Sequence, residues 1–309
     1  MKNWISRSAC MVLVLAPGVL SLVAQEDDPR FEPWKKLPLA EVESKAAAGE
    51  AEAMAAMGHF YWRGHQVQAD KEKGFEWTLK AGEAGDGRSM NIVGTCYING
   101  FGVLPDPEKA FQWFERSAKA GYDKAFFNLG RCYLDGIGVE SSNKEALKWF
   151  VESAKRGDAE SQNLVATFYM RGLGTVANLP EAAKWYQMAA DQGMANAQGD
   201  LALMIINGDG VPKDVEKGIE LLKKSAESGY APASYNLGVL YQTGQGVKEQ
   251  PTEALKWFII SGALGYGPGQ EAAVSLAPDL SKVQSNKADQ DAIEWLNTFK
   301  AKMDAATAP

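Results

Sequence analysis

A spacing of 36 residues runs through this chain. Gly64, Gly100, Gly136, Gly172, Gly208 and Gly244 fall at that interval without exception, and so do Gly85, Gly121, Gly157, Gly193, Gly229 and Gly265. Trp77, Trp113, Trp149, Trp185 and Trp257 hold a third column, with Leu221 as its one substitute. Tyr61, Tyr97, Tyr133, Tyr169 and Tyr241 hold a fourth, with Ile205 as substitute. A fixed period of roughly 20–50 residues marks a stacked array, because one such unit cannot bury its apolar face alone. The period overrides the length prior, which for 309 residues would favour two independent globular domains.

Each copy reads as two helices. In the third, Ala125, Asn128, Leu129, Cys132 and Tyr133 recur at helical spacing and make one apolar stripe. Gly136 follows the last turn and supplies the left-handed residue that closes it. Ser142 then caps a second helix, with Glu145 three residues on as its capping-box partner. Ala146, Trp149, Phe150 and Ala154 form that helix's stripe, and Gly157 ends it. The cap column runs Asp70, Asp106, Ser142, Asn178, Asp214, Gln250, five of them good N-cap residues. Pro107 and Pro251 stand one place later, where a missing N–H costs nothing. The small column Gly58, Gly94, Gly130, Ala166, Ala202, Gly238 lets two helix axes approach closely.

The array is expected over residues 38–266, with copies near 52–87, 88–123, 124–159, 160–195, 196–231 and 232–267. Pro38 to Gly49 matches the second half of a copy and caps one end. Residues 267–305 cap the other, through a stripe of Ala292, Trp295, Leu296, Phe299 and Met303. The fold class is therefore all-α, an α-solenoid of antiparallel helix pairs with six repeats, a half-repeat and helical caps.

Ahead of the array, Lys2 and Arg7 precede an apolar run from Ala9 to Ala24 that Pro17-Gly18 interrupts, and Gln25-Glu26-Asp27-Asp28 follows. That layout predicts a secretory signal over residues 1–24, cleaved after Ala24, with an uncleaved N-terminal anchor as the alternative. Residues 25–37, rich in proline and charge, read as a linker. No later run is long enough to span a bilayer, so no stable membrane insertion is expected after cleavage. The formal charge is −7, and Lys2 and Arg7 both belong to the leading segment. An acidic chain without a basic stripe excludes a nucleic-acid backbone as partner. Cys96 and Cys132 share a column in adjacent copies, about one helix spacing apart, which is too far for a disulfide and fits buried thiols. His59 and His65 have no third ligand at metal spacing. Gly136-Ile137-Gly138 lacks the strand and third glycine of a nucleotide loop. Neither a metal nor a cofactor is expected.

Leu129-Gly130-x-x-Tyr133-x-x-Gly136-x-Gly138-Val139 followed by Ala146-x-x-Trp149-Phe150 resembles the Sel1-like repeat, a relative of the tetratricopeptide repeat. Asn236-Leu237-Gly238, Gly244-Gln245-Gly246-Val247 and Trp257-Phe258 repeat the match. Gln66 departs from it at the second loop glycine of copy one, and copy five lacks both Tyr and Trp. The resemblance implies a non-catalytic scaffold that binds a protein or peptide on a concave face, with secreted and periplasmic members serving in regulation or assembly. It also implies two alternatives: an enzyme acting on cell-wall peptides or β-lactams, as in cysteine-rich members whose cysteine pairs are absent here, or a structural spacer. In tetratricopeptide arrays first-helix side chains line the groove. By that register the partner-binding residues are Asn91, Thr95, Phe127, Arg131, Asn163, Thr167 and Tyr235, a set of amides, hydroxyls and rings suited to an extended peptide. The same columns also read as solvated helix faces, the more ordinary reading for the variable face of a repeat array.

Overall fold

The computed structural model describes residues 28–307, so the expected signal at residues 1–24 lies outside the described residues. Among the described residues the regular structure is sixteen α-helices and two short 3-10 turns, without a strand. The chain divides between Ser141 and Ser142 into two compact units.

The first unit holds α1 (Glu32–Lys35), α2 (Leu39–Ala47), α3 (Ala51–Arg63), α4 (Lys71–Glu83), α5 (Gly87–Asn99), α6 (Pro107–Lys119) and α7 (Asp123–Asp135). The second holds α8 (Asn143–Lys155), α9 (Ala159–Arg171), α10 (Leu179–Asp191), α11 (Ala195–Asn207), α12 (Val215–Glu227), α13 (Ala231–Thr243), α14 (Pro251–Ala263), α15 (Gly267–Leu276) and α16 (Lys282–Thr307). Within each unit successive helices pack on one another in chain order from α2 to α7 and from α8 to α15, and α16 folds back onto α14. That is the helix-pair stack the period demands.

Every repeat helix has 13 residues, because the same two signals bound each of them. First helices stop at a glycine in the left-handed region, such as Gly100 at φ 71°, whose N–H bonds Cys96 O. Second helices start where Asp70, Asp106, Ser142, Asn178 or Asp214 accepts the N–H three residues on, at 3.0–3.3 Å. Gln250 makes no such side-chain bond. The expected capping box at Ser142 is only half formed, since the Glu145 carboxylate turns to Lys148 Nζ at 3.3 Å. Asp86 and Asp158 cap α5 and α9 in the same way, which the periodic pattern did not reveal.

The tryptophan column is buried at Trp113 and Trp257 and half-buried at Trp77, Trp149 and Trp185. The next residue along lies deeper: Phe150, Tyr186 and Leu222 are fully buried and Phe258 is 1% exposed. This column explains the small residues on the first helices. A Cβ on Gly94 would lie 2.6 Å from the Phe114 ring, and one on Gly238 2.5 Å from the Phe258 ring. The small residue admits a ring from the paired helix, which is a more local reason than a close approach of axes.

The described part of the expected linker is folded. Residues 29–31 form a 3-10 turn, and Phe31 is 4% exposed, its ring stacked on His59 at a centroid distance of 4.7 Å. Asp28 bonds Arg30 and Arg88 at 2.8 and 2.9 Å, and Arg30 bonds Asp86 at 3.0 Å. Proline and charge here close the end of a stack instead of solvating a tether. Gln66 takes part. It sits at φ 57°, and its Nε2 donates to Lys35 O and Leu37 O at 3.2 and 3.0 Å. In the next copy the same place must be glycine, because a Cβ on Gly102 would collide with Lys71 O. At the other end Ala292 is fully buried, and Trp295 packs against Trp257 at 6.1 Å, while Met303 stays half exposed.

Candidate functional site

The sequence-predicted residues fall in two groups. In the first unit Asn91, on α5, is 2% exposed, and its Oδ1 accepts from Asn128 Nδ2 of α7 at 2.7 Å. Thr95 Oγ1 donates to Asn91 O at 3.0 Å. The Arg131 guanidinium clasps Asp135 one turn on, at 2.8 and 2.9 Å. Phe127 is half-buried beside them. The polar groups of Asn91, Thr95 and Arg131 are thus engaged within the unit, and Asn128 and Asp135, which complete them, were not anticipated.

The second unit is arranged differently. Asn163 and Thr167 stand one turn apart on α9; Thr167 meets Tyr186 of α10, and Tyr186 in turn meets Asp200 of α11. Tyr186 is the single tyrosine of the deep ring column, so it carries a hydroxyl into the core. A buried hydroxyl needs partners. It finds Thr167 Oγ1 at 3.0 Å and the Asp200 carboxyl. Burial raises the Asp200 carboxyl to about 6, against the opposing pull of the Tyr186 hydroxyl and the Arg171 charge. Burial also raises the Tyr186 and Tyr230 phenols, and the Asp200 charge adds to both.

Each hydroxyl has one proton to give, so the chain of bonds has two states. With Asp200 ionised, Tyr186 donates to the carboxylate and accepts from Thr167. With Asp200 protonated the chain runs the other way, and Thr167 donates to Asn163 O, 3.0 Å away. Asn163 Oδ1 is buried and makes no hydrogen bond among the described residues. Tyr235, on α13, lies apart in an aromatic group with Phe258 and Tyr266, each at 5.6 Å. The signal for this cluster was legible as one Tyr in a column that otherwise holds Thr78, Phe114, Phe150, Leu222 and Phe258, and one Asp at 200. Periodicity alone gave no reason to connect them.

Cys96 and Cys132 are free, and burial pushes both thiols up to about 12, so they are not nucleophiles at neutral pH. Among the described residues no three His, Cys, Asp or Glu side chains gather to hold a metal ion, and no helix is long and apolar enough to cross a membrane.

Helix pairs of constant length, stacked by a repeated ring-and-glycine contact and carrying variable polar groups on the first helices, define an α-helical repeat scaffold. Six stretches match the family model for the Sel1 repeat: residues 51–86, 87–122, 124–158, 159–194, 195–230 and 231–266. The chain belongs to the Sel1 repeat family, whose arrays are typically non-catalytic scaffolds for protein–protein interaction. Among solved structures it is similar to a Sel1 repeat protein from Oxalobacter formigenes, at 27% identity and a TM-score of 0.61, over 72% of this chain and 89% of that one. A protective antigen of uropathogenic Escherichia coli matches at 23% identity and a TM-score of 0.38, over 88% and 74%. An immunity protein from Pseudomonas aeruginosa matches at 21% and 0.39, over 71% and 82%. No curated protein matches.

Proposed function

We propose that this chain is a secreted or periplasmic scaffold that captures a protein or peptide partner on its first-helix faces and performs no chemistry itself. The observation that carries the reading is Asn163. Its Oδ1 is an enclosed acceptor without a donor, one turn from Thr167 on the same helix. Leaving such an atom unpaired costs about 1–3 kcal/mol, and because Asn163 is only half-buried its amide can turn outward on binding and recover that cost from a backbone N–H of an extended peptide. The charged and apolar layout of residues 1–28 supports export.

The test has two arms. Mass spectrometry of the protein from its native host reads the N-terminus, with processing after Ala24 expected and an intact Met1 as the contrary result. Affinity capture from the matching cell fraction then compares the wild type with Asn163→Leu and Asn91→Leu. The first variant loses the partner under this reading. The second probes an amide already engaged by Asn128, so partner loss on Asn91→Leu with retention on Asn163→Leu would overturn the placement.

A further inference from the structure

One end of the first-helix face is already occupied in the first unit. Ala55 and His59, on α3, are copy one's members of the columns that carry Phe127 and Arg131. Phe31 covers both. It shares a buried cluster with Ala55 and stacks on His59 at 4.7 Å. Ahead of that ring, two charges meet opposite charges at the start of α5. Arg30 bonds Asp86 at 3.0 Å, and Asp28 bonds Arg88 at 2.9 Å. An aromatic anchor in an apolar seat, with charged groups paired beside it, is how a peptide is held at an interface. It differs from the ring-into-glycine contact by which the repeat helices pack.

The fit is incomplete. A cavity of about 30 Å³ remains between the segment and the face, lined by the polar residues Asp28, Arg30, His59, Thr78 and Ser89. Arg30 Nη2 is buried and makes no hydrogen bond among the described residues. A charged donor left without an acceptor weakens the seat. The two ion pairs that anchor the segment to α5 are also partly open to water, with Arg30 23% and Arg88 30% exposed, so solvent screens them. What holds the segment is its tether. A short covalent link supplies an effective concentration on the order of millimolar, at which weak contacts suffice in cis.

We propose that residues 28–31 are a displaceable self-ligand. They close copy one's first-helix face until a partner segment with the same order of groups takes their place: an acid, any residue, a base and an aromatic ring. The inference goes beyond the scaffold reading above. It names a second docking place, in the first unit and separate from Asn163, and the chemistry of its occupant. The face fixes the order of the charges. The base meets Asp86 and the acid meets Arg88, so exchanging the two sets like charges together.

The probe is the blocked peptide Ac-Asp-Pro-Arg-Phe-NH2, followed by NMR of 13C-labelled histidine in the protein at fixed pH. The chain has two histidines, so His65→Gln assigns the His59 signal. Phe31→Ala opens the face, and His59 loses the upfield ring-current shift it has in the wild type. Adding the probe is expected to restore that shift saturably. The exchanged peptide Ac-Arg-Pro-Asp-Phe-NH2 binds the opened variant at least tenfold more weakly, and Arg88→Gln in that variant weakens the probe several-fold. Saturation transfer to the probe's ring is expected from the opened variant and absent from the wild type at the same concentrations, because the tethered segment competes. If Phe31→Ala loses cooperative unfolding, Arg30→Glu replaces it, with a like charge set against Asp86 and the ring kept, and with the same expectations. An unmoved His59 signal, equal binding of the exchanged peptide, or equal saturation transfer from wild type and opened variant would each overturn the proposal. Asn163→Leu is expected to leave probe binding unchanged. Loss of the probe on Asn163→Leu would sink the self-ligand and leave the scaffold reading standing.

Discussion

Replacing Asp200 by asparagine tests the electrostatic account of the second unit. The carboxyl titrates near 6 in the folded chain against 3.8 in the open, chiefly because burial disfavours its charge. At about 1.36 kcal/mol per pH unit, that difference corresponds to roughly 3 kcal/mol of folding stability. The sign follows from proton binding. Between about pH 4 and pH 6 the folded state holds the proton more tightly than the unfolded state, so stability falls as pH rises through this window and stays lowered above it. Asparagine keeps the shape and an acceptor for Tyr186, and it carries no charge at any pH. Urea unfolding of wild type and Asp200→Asn, followed by circular dichroism, is therefore expected to coincide near pH 4. The curves then separate, until the variant is the more stable by roughly 3 kcal/mol at pH 7.5. Other carboxylates titrate in the same range, but they are common to both proteins and cancel in the difference. A stability difference that does not change with pH, or a variant weaker than wild type at pH 7.5, would refute the reasoning.

Three further outcomes are expected. Gly94→Ala places a Cβ 2.6 Å from the Phe114 ring and costs about 1–3 kcal/mol. Adding Phe114→Leu is expected to recover part of that loss in a double-mutant cycle, because a smaller side chain can yield. Phe31→Ala removes the buried ring that seats the N-terminal turn on His59 and costs about 3–5 kcal/mol. Trypsin cleavage after Arg30 or Lys35, read by mass spectrometry, becomes fast in that variant and stays slow in the wild type. Cys96 and Cys132 resist iodoacetamide at pH 8 in the native protein and react once urea unfolds it, since burial holds both thiols near 12.

The array was legible in the sequence because its evidence is redundant. Each column is read six times, so Leu221 in the tryptophan column or Gln250 in the cap column does not hide the pattern. Helix ends were legible for a related reason. A cap such as Asp106 and a stop such as Gly100 act on backbone groups within four residues, and such local bonds need no knowledge of the rest of the fold.

What the tertiary structure alone decided concerns single departures from the columns. By its column Asn91 belongs to the groove-facing set, and only the tertiary structure pairs its amide with Asn128, 37 residues away. In its column Tyr186 differs from Phe150 and Phe258 by one hydroxyl, and only the tertiary structure gathers Thr167 and Asp200 around it. Residues 28–37 read as a tether until Phe31 stacked on His59. Ala183 and Ile205 are ordinary apolar residues taken one by one, and packing of α10 on α11 buries both in one core. A period is a property of the backbone and is repeated along the chain. The chemistry of a site depends on which side chains meet across helices, and that is set by packing distances the spacing does not carry.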